Sequence, residues 1–493
     1  MRWGWIVLLA GALLRQGEAS FAQATQVIRV GKGRPQTRIS QAAAMAGDGA
    51  LVEIESGDYD GDVAIWRADN LTIRGIGRRP HLRARGASAD GKGIFLVLGK
   101  NTTIENLEFS GCAVRDKNGA GIRMQGMGLT VRRCSFHDNE NGILAGSSPA
   151  GDAQNDIVVE HSEFAHNGAG DGQSHNMYIG AVRSFTLRFS YVHHAKSGHQ
   201  VKSRAYESRI LYNRISDEEA GNSSRSIDLP NGGLAVILGN VIHKGSKAEN
   251  GALITHAAEG ARNPVQEIYV AHNTMVTDYK GGAFVELARN GASARVFNNI
   301  FIGGAAVLSG KGEVASNLSS TDPLFADRAA LDYRLRPGSP AAGAGAKAPV
   351  VRANDLTARW EYVHPRGRRP RRPADAPDLG AYSLSSPGSG PTARKPKGEE
   401  MRLGHDALAR GELGAAYRHF ESVVDRDEDE AITEAWELLR KIDARLRGRL
   451  SDAQALEAIG ETNDAIAAYR EILKEFDGVP AVQEAKDRIA ALR

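Results

Sequence analysis

Apolar and polar positions alternate along the middle of the chain in a stretch that keeps returning: TIENLEF, TVRRCSF, VVEHSEF, TLRFSYV, RILYNRI, VILGNVI, YVAHNTM and RVFNNIF. Each has a small or polar residue near its centre, at Asn106, Cys134, Ser162, Ser190, Asn213, Asn240, Asn273 and Asn299. These positions are 28, 28, 28, 23, 27, 33 and 26 residues apart. A period of about 20–50 residues marks one supersecondary unit stacked many times. The units hold strands and turns but no helix, which predicts a β-solenoid with one long flank for binding. Between them runs a second set of short strands: GIFLVLG, GIRMQG, GILAGS, NMYIGA, HQVKSR, RSIDLP, ALITHA, AFVELA and AAVLSG. Two strand columns per turn, with loops of variable length, predict an all-β, right-handed parallel β-helix. A β-propeller needs about four strands per 40–50 residues, and the period is too short for that.

The start of this region, RISQAAAMAGDGALVEIESGDYD (38–60), predicts a short helix from Ile39 to Met45 that caps the open coil. Such a cap covers sheet edges that would otherwise pair with other chains. This opening resembles the N-terminus of pectate-lyase-like right-handed β-helix proteins. At the other end, TDPLFAD, DYRLRPGSPAAGAG and PDLGAY resemble the terminal segment of many secreted bacterial β-helix proteins. The basic stretch HPRGRRPRRP (364–373) lies inside it. It reads as a solvated loop, since arginines between prolines form no regular face, with contact to an anionic polymer as the sharper alternative.

Residues 383–400 are rich in Ser, Pro, Gly and Lys and read as a linker. Beyond it the period becomes helical. GELGAAYRHFESV and GETNDAIAAYREI align at a constant offset of 49, pairing Gly411 with Gly460, Ala416 with Ala465, Phe420 with Tyr469 and Val423 with Ile472. This resembles the second helix of a tetratricopeptide repeat. It implies a small all-α domain at 401–493 that binds a protein partner or oligomerises; a plain helical hairpin packed on the β-helix is the alternative.

A chain of 493 residues is too long for one compact core. Its 56 glycines suit a fold with frequent tight corners. A net charge of +3 gives no global case for nucleic acid as a partner. The start, MRWGWIVLLAGALLRQGEASFAQA, reads as a secretory signal over residues 1–24, with Ala22-Gln23-Ala24 as the cleavage site. Its apolar run is too short for a membrane span, and no later segment is long enough. The expected location is periplasmic or secreted, with the β-helix occupying residues 25–382. Export permits disulfides, yet the only cysteines, Cys112 and Cys134, fall in different registers. They read as buried thiols, a bridge being the lesser alternative.

Alternate side chains of a strand face opposite sides. With Ile122, Ile143, Met177, Val201, Ile227 and Val285 inside, the next residues face out: Arg123, Leu144, Tyr178, Lys202, Asp228 and Glu286. Arg204 shares the face of Lys202, and His256 is ambiguous in register. Coils stack about 4.8 Å apart, so these side chains form a ladder. Six of the fourteen histidines lie between 161 and 199, namely His161, His166, His175, His193, His194 and His199.

This constellation suits β-elimination or epimerisation on a uronic-acid polymer. A cation must neutralise the substrate carboxylate so that the C5 proton becomes acidic, and a tuned base must remove that proton. The expected roles are Arg204 on the carboxylate, Lys202 or His199 as base, and Tyr178 or His175 as acid. Repulsion from Arg204 and the histidines is expected to bring Lys202 into the useful range. Asn176, Arg123, Asp228, His194, His256 and Glu286 are candidate substrate contacts.

The resemblance to the pectate-lyase-like superfamily covers roughly residues 27–382. It implies architecture and an acidic polysaccharide as partner. Neither the acidic calcium cluster of pectate lyases nor the paired aspartates of polygalacturonases is present in the sequence, so no family's catalytic residues carry over. A Ca2+ site built from several rungs stays open. Two other functions compete. One is an inverting glycoside hydrolase using Asp228 and Glu286, two rungs apart and so about 9–10 Å between backbones. The other is a non-catalytic glycan-binding or export scaffold whose helical tail recruits a partner.

Overall fold

The computed structural model describes residues 26–146, 155–288, 291–384, 397–424, 430–477, 479 and 482–492. The proposed signal segment lies outside these residues. The chain winds through about ten turns of a parallel β-solenoid. Three parallel sheets, of 12, 11 and 10 strands, run its length; we call them the first, second and third sheet in the order the chain visits them within a coil.

The expected two strand columns per turn are therefore three. The recurring stretch is a bent unit that spans two sheets. Thr186 and its neighbours, for example, belong to the first-sheet strand Ser184–Arg188, and the second-sheet strand Tyr191–His193 follows after a corner. One left-handed residue makes each corner: Asn106, Arg133, His161, Phe189, Tyr212, Gly239, His272 and Asn298 all have φ between 51° and 68°. Gly239 is required for a second reason, since a Cβ there would lie 2.4 Å from the Tyr212 ring.

From Cys134 onward the marked residues sit at this corner, inside the solenoid, and bond to one another, whereas Asn106 is itself the left-handed corner residue and donates to the carbonyls of Gly75 and Gly77. The Cys134 amide donates to Ser162 Oγ, the Ser162 amide to Ser190 Oγ, and the Ser190 amide to Asn213 Oδ1. From Asn213 onward each asparagine donates both its backbone N–H and its Nδ2–H to the Oδ1 of the next, through Asn240, Asn273 and Asn299 to Asn317. The ladder satisfies corner amides that have no strand partner, and this fixes the coils in register.

A second interior ladder runs where the second sheet turns toward the third. Asn139 donates to Asn167, Asn167 to Asn176, Asn176 to Gln200, and Gln200 to Asp217. On the outer face of the first sheet, Arg29, Glu53, Arg74, Glu105, Arg132, Glu160 and Arg188 occupy consecutive rungs with alternating charge. The pairs Arg74–Glu105 and Arg132–Glu160 close to 2.9 and 2.6 Å. The core between the sheets is aliphatic, with a stack of aromatic rings, Phe109, Phe136 and Phe164, at 5.0 and 4.7 Å.

Helix α1 (Ile39–Met45) caps the first coil. Its Ile39 and Ser40 amides donate to the Asp62 carboxylate of the following coil, while Ile39 and Ala42 pack into the core. After the last coil the chain returns along the solenoid and covers two apolar strips, one around Phe325 and Tyr333, the other around Tyr212 and Leu356. The arginine-rich stretch is not a solvated loop. Trp360–Val363 and Gly367–Pro370 form an antiparallel hairpin, because each arginine finds a partner. Arg368 stacks on Trp360, Arg369 pairs with Glu361 at 2.7 Å, and buried Arg371 donates to the carbonyls of Gly380 and Asp378.

The C-terminal helices are α2 (Lys397–Ala409), α3 (Leu413–Val424), α4 (Glu430–Ala458), α5 (Thr462–Glu475) and α6 (Gln483–Ala491). Gly411 and Gly460, both left-handed, turn α2 into α3 and α4 into α5. Ala416, Phe420, Val423, Ala465, Tyr469 and Ile472 are buried together. Arg133 of the solenoid reaches Glu421 of α3 at 2.5 Å. Cys112 and Cys134 are free, buried thiols, and burial pushes both up to about 12. Among the described residues no helix is long and apolar enough to cross a membrane.

Candidate active site on the third sheet

Strand register places one outward file along the third sheet: Ile65, Leu96, Arg123, Leu144, Tyr178, Lys202, Asp228, Thr255, Glu286 and Ser309. Its inward neighbours, among them Ile122, Ile143, Met177, Val201, Ile227 and Val285, all lie in the core. Tyr178, Lys202 and Asp228 therefore occupy adjacent rungs. A second file runs three residues upstream: Asn141, His175, His199 and Arg225. Each backbone N–H donates to the side chain before it, Arg225 to His199 Nδ1 (3.2 Å), His199 to His175 Nδ1 (3.0 Å) and His175 to Asn141 Oδ1 (2.9 Å).

These bonds set the tautomers. Both imidazoles accept at Nδ1, so in the neutral rings the proton is on Nε2. The rings stack at 4.7 Å, and His199 Nε2 lies 3.4 Å from Asp228 Oδ2. Burial, then the positive charges of Lys202 and Arg225, push His199 down to about 3. Burial and the neighbouring His199 hold His175 well below the usual histidine range. Neither ring offers a free lone pair at Nε2, so His199 is not placed to act as a base, contrary to the sequence expectation. Both are placed as neutral N–H donors.

Lys202 Nζ donates to Glu259 Oε1 at 3.0 Å, stands 3.7 Å from Asp228 Oδ2, and lies 5.5 Å above the Tyr178 ring. The expected crowd of cations around Lys202 is thus balanced by two carboxylates. Arg204 donates through Nε to Tyr178 Oη (2.9 Å), through Nη1 to Asn231 Oδ1 (2.6 Å) and through Nη2 to Glu259. Glu259 was missed from sequence. It lies on the loop after the strand Ala252–His256, where no repeat signal reaches. Burial would raise it, but hydrogen bonds from Arg204 and Lys202 and their charges bring it down to about 2.

Four proposed substrate contacts move elsewhere. Asn176 is fully buried within the second interior ladder, because it precedes the strand at the corner rather than on its outer face. His256 is in register with Leu229 and Leu287 of the core, is fully buried, and faces Gly233 O at 2.9 Å. Asp228 does face outward, yet it is fully buried beneath Lys202, Arg225 and Thr255, whose Oγ1 donates to it at 2.6 Å. It orients the cations instead of touching a ligand, which also removes the Asp228–Glu286 hydrolase pair. His194 belongs to a separate cluster with His166 and His193. Arg123 and Glu286 stay on the outward file, two rungs from Tyr178 and Asp228 respectively, and both are half-buried.

A cleft of about 1380 Å³ lies between the 360–370 hairpin and the helical segment, lined by Arg188, Arg214, Trp360, Arg368 and Arg418 among others. None of the predicted catalytic residues borders it, and its arginines are tied to neighbouring side chains and carbonyls.

Residues 59–170 match the family model described as right handed beta helix region. No curated protein matches the chain. Among solved structures, the pectate lyase Pel9A superposes with a TM-score of 0.50 at 14% identity, over 73% of this chain and 98% of that one. An alginate lyase from Paenibacillus sp. str. FPU-7 gives 0.42 at 13%, over 60% and 99%. The A-module of the mannuronan C-5 epimerase AlgE4 from Azotobacter vinelandii gives 0.32 at 14%, over 57% and 94%. The chain is a right-handed parallel β-helix.

Within this β-helix a calcium ion does not fit the candidate site. Ca2+ takes six to eight oxygen ligands. The two carboxylates here, Asp228 and Glu259, are already engaged by Lys202, Arg204 and Arg225. The groups among the described residues that could hold a metal are instead histidine-rich, His166–His193–His194 and His81–Glu108–His137.

Proposed function

We propose that the protein is an exported enzyme that acts on an acidic, uronate-containing polysaccharide at the third-sheet face, by β-elimination or epimerisation. The observation that carries this reading is the shared carboxylate: Lys202 and Arg204 converge on Glu259 beside the Tyr178 hydroxyl. Arg204, which grips Glu259 in the free protein, can grip a uronate carboxylate in its place, and this releases Lys202 from its bond to Glu259. Glu259, 45% exposed on a loop, is then the group that moves aside.

In the proposed reaction Arg204 binds the uronate carboxylate and stabilises the charge that develops on it. Lys202, released from Glu259, first gives up its ammonium proton to solvent, and the neutral amine then takes the C5 proton. In elimination the released electron pair forms the C4–C5 double bond, the C4–O bond breaks, and the leaving oxygen takes a proton. In this reading Tyr178 supplies it, supported by its oxygen accepting from Arg204, which leaves the hydroxyl proton free for the substrate. In epimerisation the C5 carbanion takes a proton on its opposite face instead. His175 and His199 supply neutral N–H donors under the ring. Arg123 would contact a uronate further along the polymer.

The test is incubation with alginate, pectate and glycosaminoglycans. An absorbance rise from the unsaturated product identifies a lyase, and epimerised residues in the proton NMR spectrum identify an epimerase. Neither signal on any acidic glycan rejects the enzymatic reading. A second reading, glycan binding without turnover, draws support from the closed ion-pair network around Lys202. It is selected if binding survives in a Lys202→Ala, Arg204→Ala variant and no product forms with the native protein. In either reading the C-terminal helical hairpins would serve to dock a protein partner.

A further inference from the structure

The histidines outside the third-sheet site converge elsewhere. His166 and His194 directly follow the second-sheet strands Glu163–Ala165 and Tyr191–His193, which pair Ala165 with His193, and both are left-handed, with φ of 55° and 51°. They thus hold the same position on two successive coils. The ring centroids of His166 and His194 are 4.7 Å apart, and those of His193 and His194 are 4.9 Å apart. One ring nitrogen from each of the three histidines lies within 4.8 Å of the others.

His193 Nε2 stands 3.3 Å from Glu163 Oε1, so its proton is directed to that carboxylate and Nδ1 keeps its lone pair. That Nδ1 accepts from His194 Nδ1 at 2.6 Å, so His194 must shift this proton to Nε2 when a metal ion takes its place. Asp138, Glu163, Asp217 and Glu218 surround the cluster with carboxylates, of which Asp138, Asp217 and Glu218 also pair with Lys196, Lys244 and Arg214. The other group, His81–Glu108–His137, differs in that both imidazoles turn Nε2 toward one Glu108 oxygen, at 3.4 and 3.0 Å. His137 Nε2 donates to that carboxylate, and His81 Nε2 is held by Ser110 Oγ at 2.7 Å.

We propose that His166, His193 and His194 bind one divalent transition-metal ion, of which Zn2+ is the type case, and so clip two successive coils together. Imidazole nitrogens select Zn2+, Cu2+ or Ni2+ over Ca2+ or Mg2+. Zn–N bonds of about 2.0–2.1 Å in a tetrahedral site put ligand nitrogens roughly 3.3 Å apart. The present spacings bracket that distance, and small rotations of exposed His166 and half-buried His194 meet it. Three protein ligands leave one position for water. The site is on a different sheet from Lys202 and needs no part of the proposed catalysis.

The experiment uses tag-free protein, stripped with a chelator and titrated calorimetrically with ZnCl2, while Tm is followed with and without zinc. The native protein is expected to bind one equivalent and to gain Tm. The H166A/H194A variant should lose that equivalent and the Tm gain, whereas H81A should keep both. E163Q should weaken binding by about 10–100-fold at unchanged stoichiometry, as for a carboxylate that orients a ligand histidine. If the double variant does not fold, the exposed single variant H166A is used, with the same expectation of weakened binding. No zinc-dependent heat in the native protein, or equal affinity in the native protein and the histidine variant, overturns the proposal.

Discussion

Replacing Glu259 with Gln tests whether its carboxylate stands where a uronate carboxylate binds. Glu259 is brought from 4.5 to about 2, because hydrogen bonds from Arg204 and Lys202 outweigh burial. At 1.36 kcal/mol per pKa unit this corresponds to about 3 kcal/mol in favour of the ionised form. The side chain is 45% exposed, and solvent screening reduces a pair of this kind to about 1 kcal/mol. The sign follows from linkage: a depressed carboxylate stabilises the fold above its unfolded pKa, and the contribution is lost as pH falls toward about 2. At neutral pH E259Q should therefore be slightly destabilised. It should also bind an oligouronate more tightly, because the internal competitor is gone. Removing about 1 kcal/mol of competition predicts roughly five-fold tighter binding, since 1.4 kcal/mol is tenfold. Calorimetric titration of an oligouronate into the native protein, E259Q, R204A and the R204A/E259Q double variant measures this. The gain should disappear in the R204A background, because both carboxylates act through Arg204. If folded E259Q binds the oligouronate no more tightly than the native protein, Glu259 is a structural ion-pair partner and the placeholder argument is refuted.

Lys202→Met should lower turnover by about 10²–10⁴-fold, the range for loss of a general base, while oligouronate affinity changes little; a merely structural lysine would shift both together. Asn240→Ala removes bonds to Ile210 O and Asn273 Oδ1 and leaves the Asn213 donors unmatched. At about 1–3 kcal/mol per stranded group it should destabilise the solenoid by roughly 2–4 kcal/mol in urea unfolding, and an unchanged midpoint would refute a stabilising ladder. His199 and His272, both pushed down to about 3 chiefly by burial, stay neutral in the fold while the unfolded chain takes up protons below about 6.5. Stability should therefore decline as pH falls from about 6.5 toward 3, with no histidine NMR titration at these two rings near pH 6.5.

A solenoid is a translation repeated, and that is why so much of it was readable. Each coil meets only its neighbours, so a residue's rung follows from its count along the period. Counting placed Tyr178, Lys202 and Asp228 on one outward file with no side-chain information. What counting could not supply was the corner. The stretch RILYNRI alternates like one strand, yet Tyr212 adopts φ of 57° and sends its two halves into different sheets. A tyrosine carries no signal for the left-handed region, where each non-glycine residue is disfavoured by about 1–2 kcal/mol. The neighbouring Asn213 bonds compensate for it.

The site divided along the same line. A constant offset of three residues links His175 to Tyr178, His199 to Lys202 and Arg225 to Asp228. That spacing is the sequence signal for the second file, whereas the local density of histidines is not. Density misled: of the six between 161 and 199, two line the candidate site, three form the corner cluster, and His161 faces Arg366 O. Glu259 follows no period at all, since its loop belongs to a single coil. In a β-helix the repeat thus specifies the platform, whereas loop residues that occur once decide whether its charges are open or closed. Asp228 illustrates the difference in reverse. Its outward position was set by register, but its burial was set by Lys202, Arg225 and Thr255 closing over it. A carboxylate in that position cannot reach a glycosidic bond, so the chemistry open to this face is that of its cations and its tyrosine.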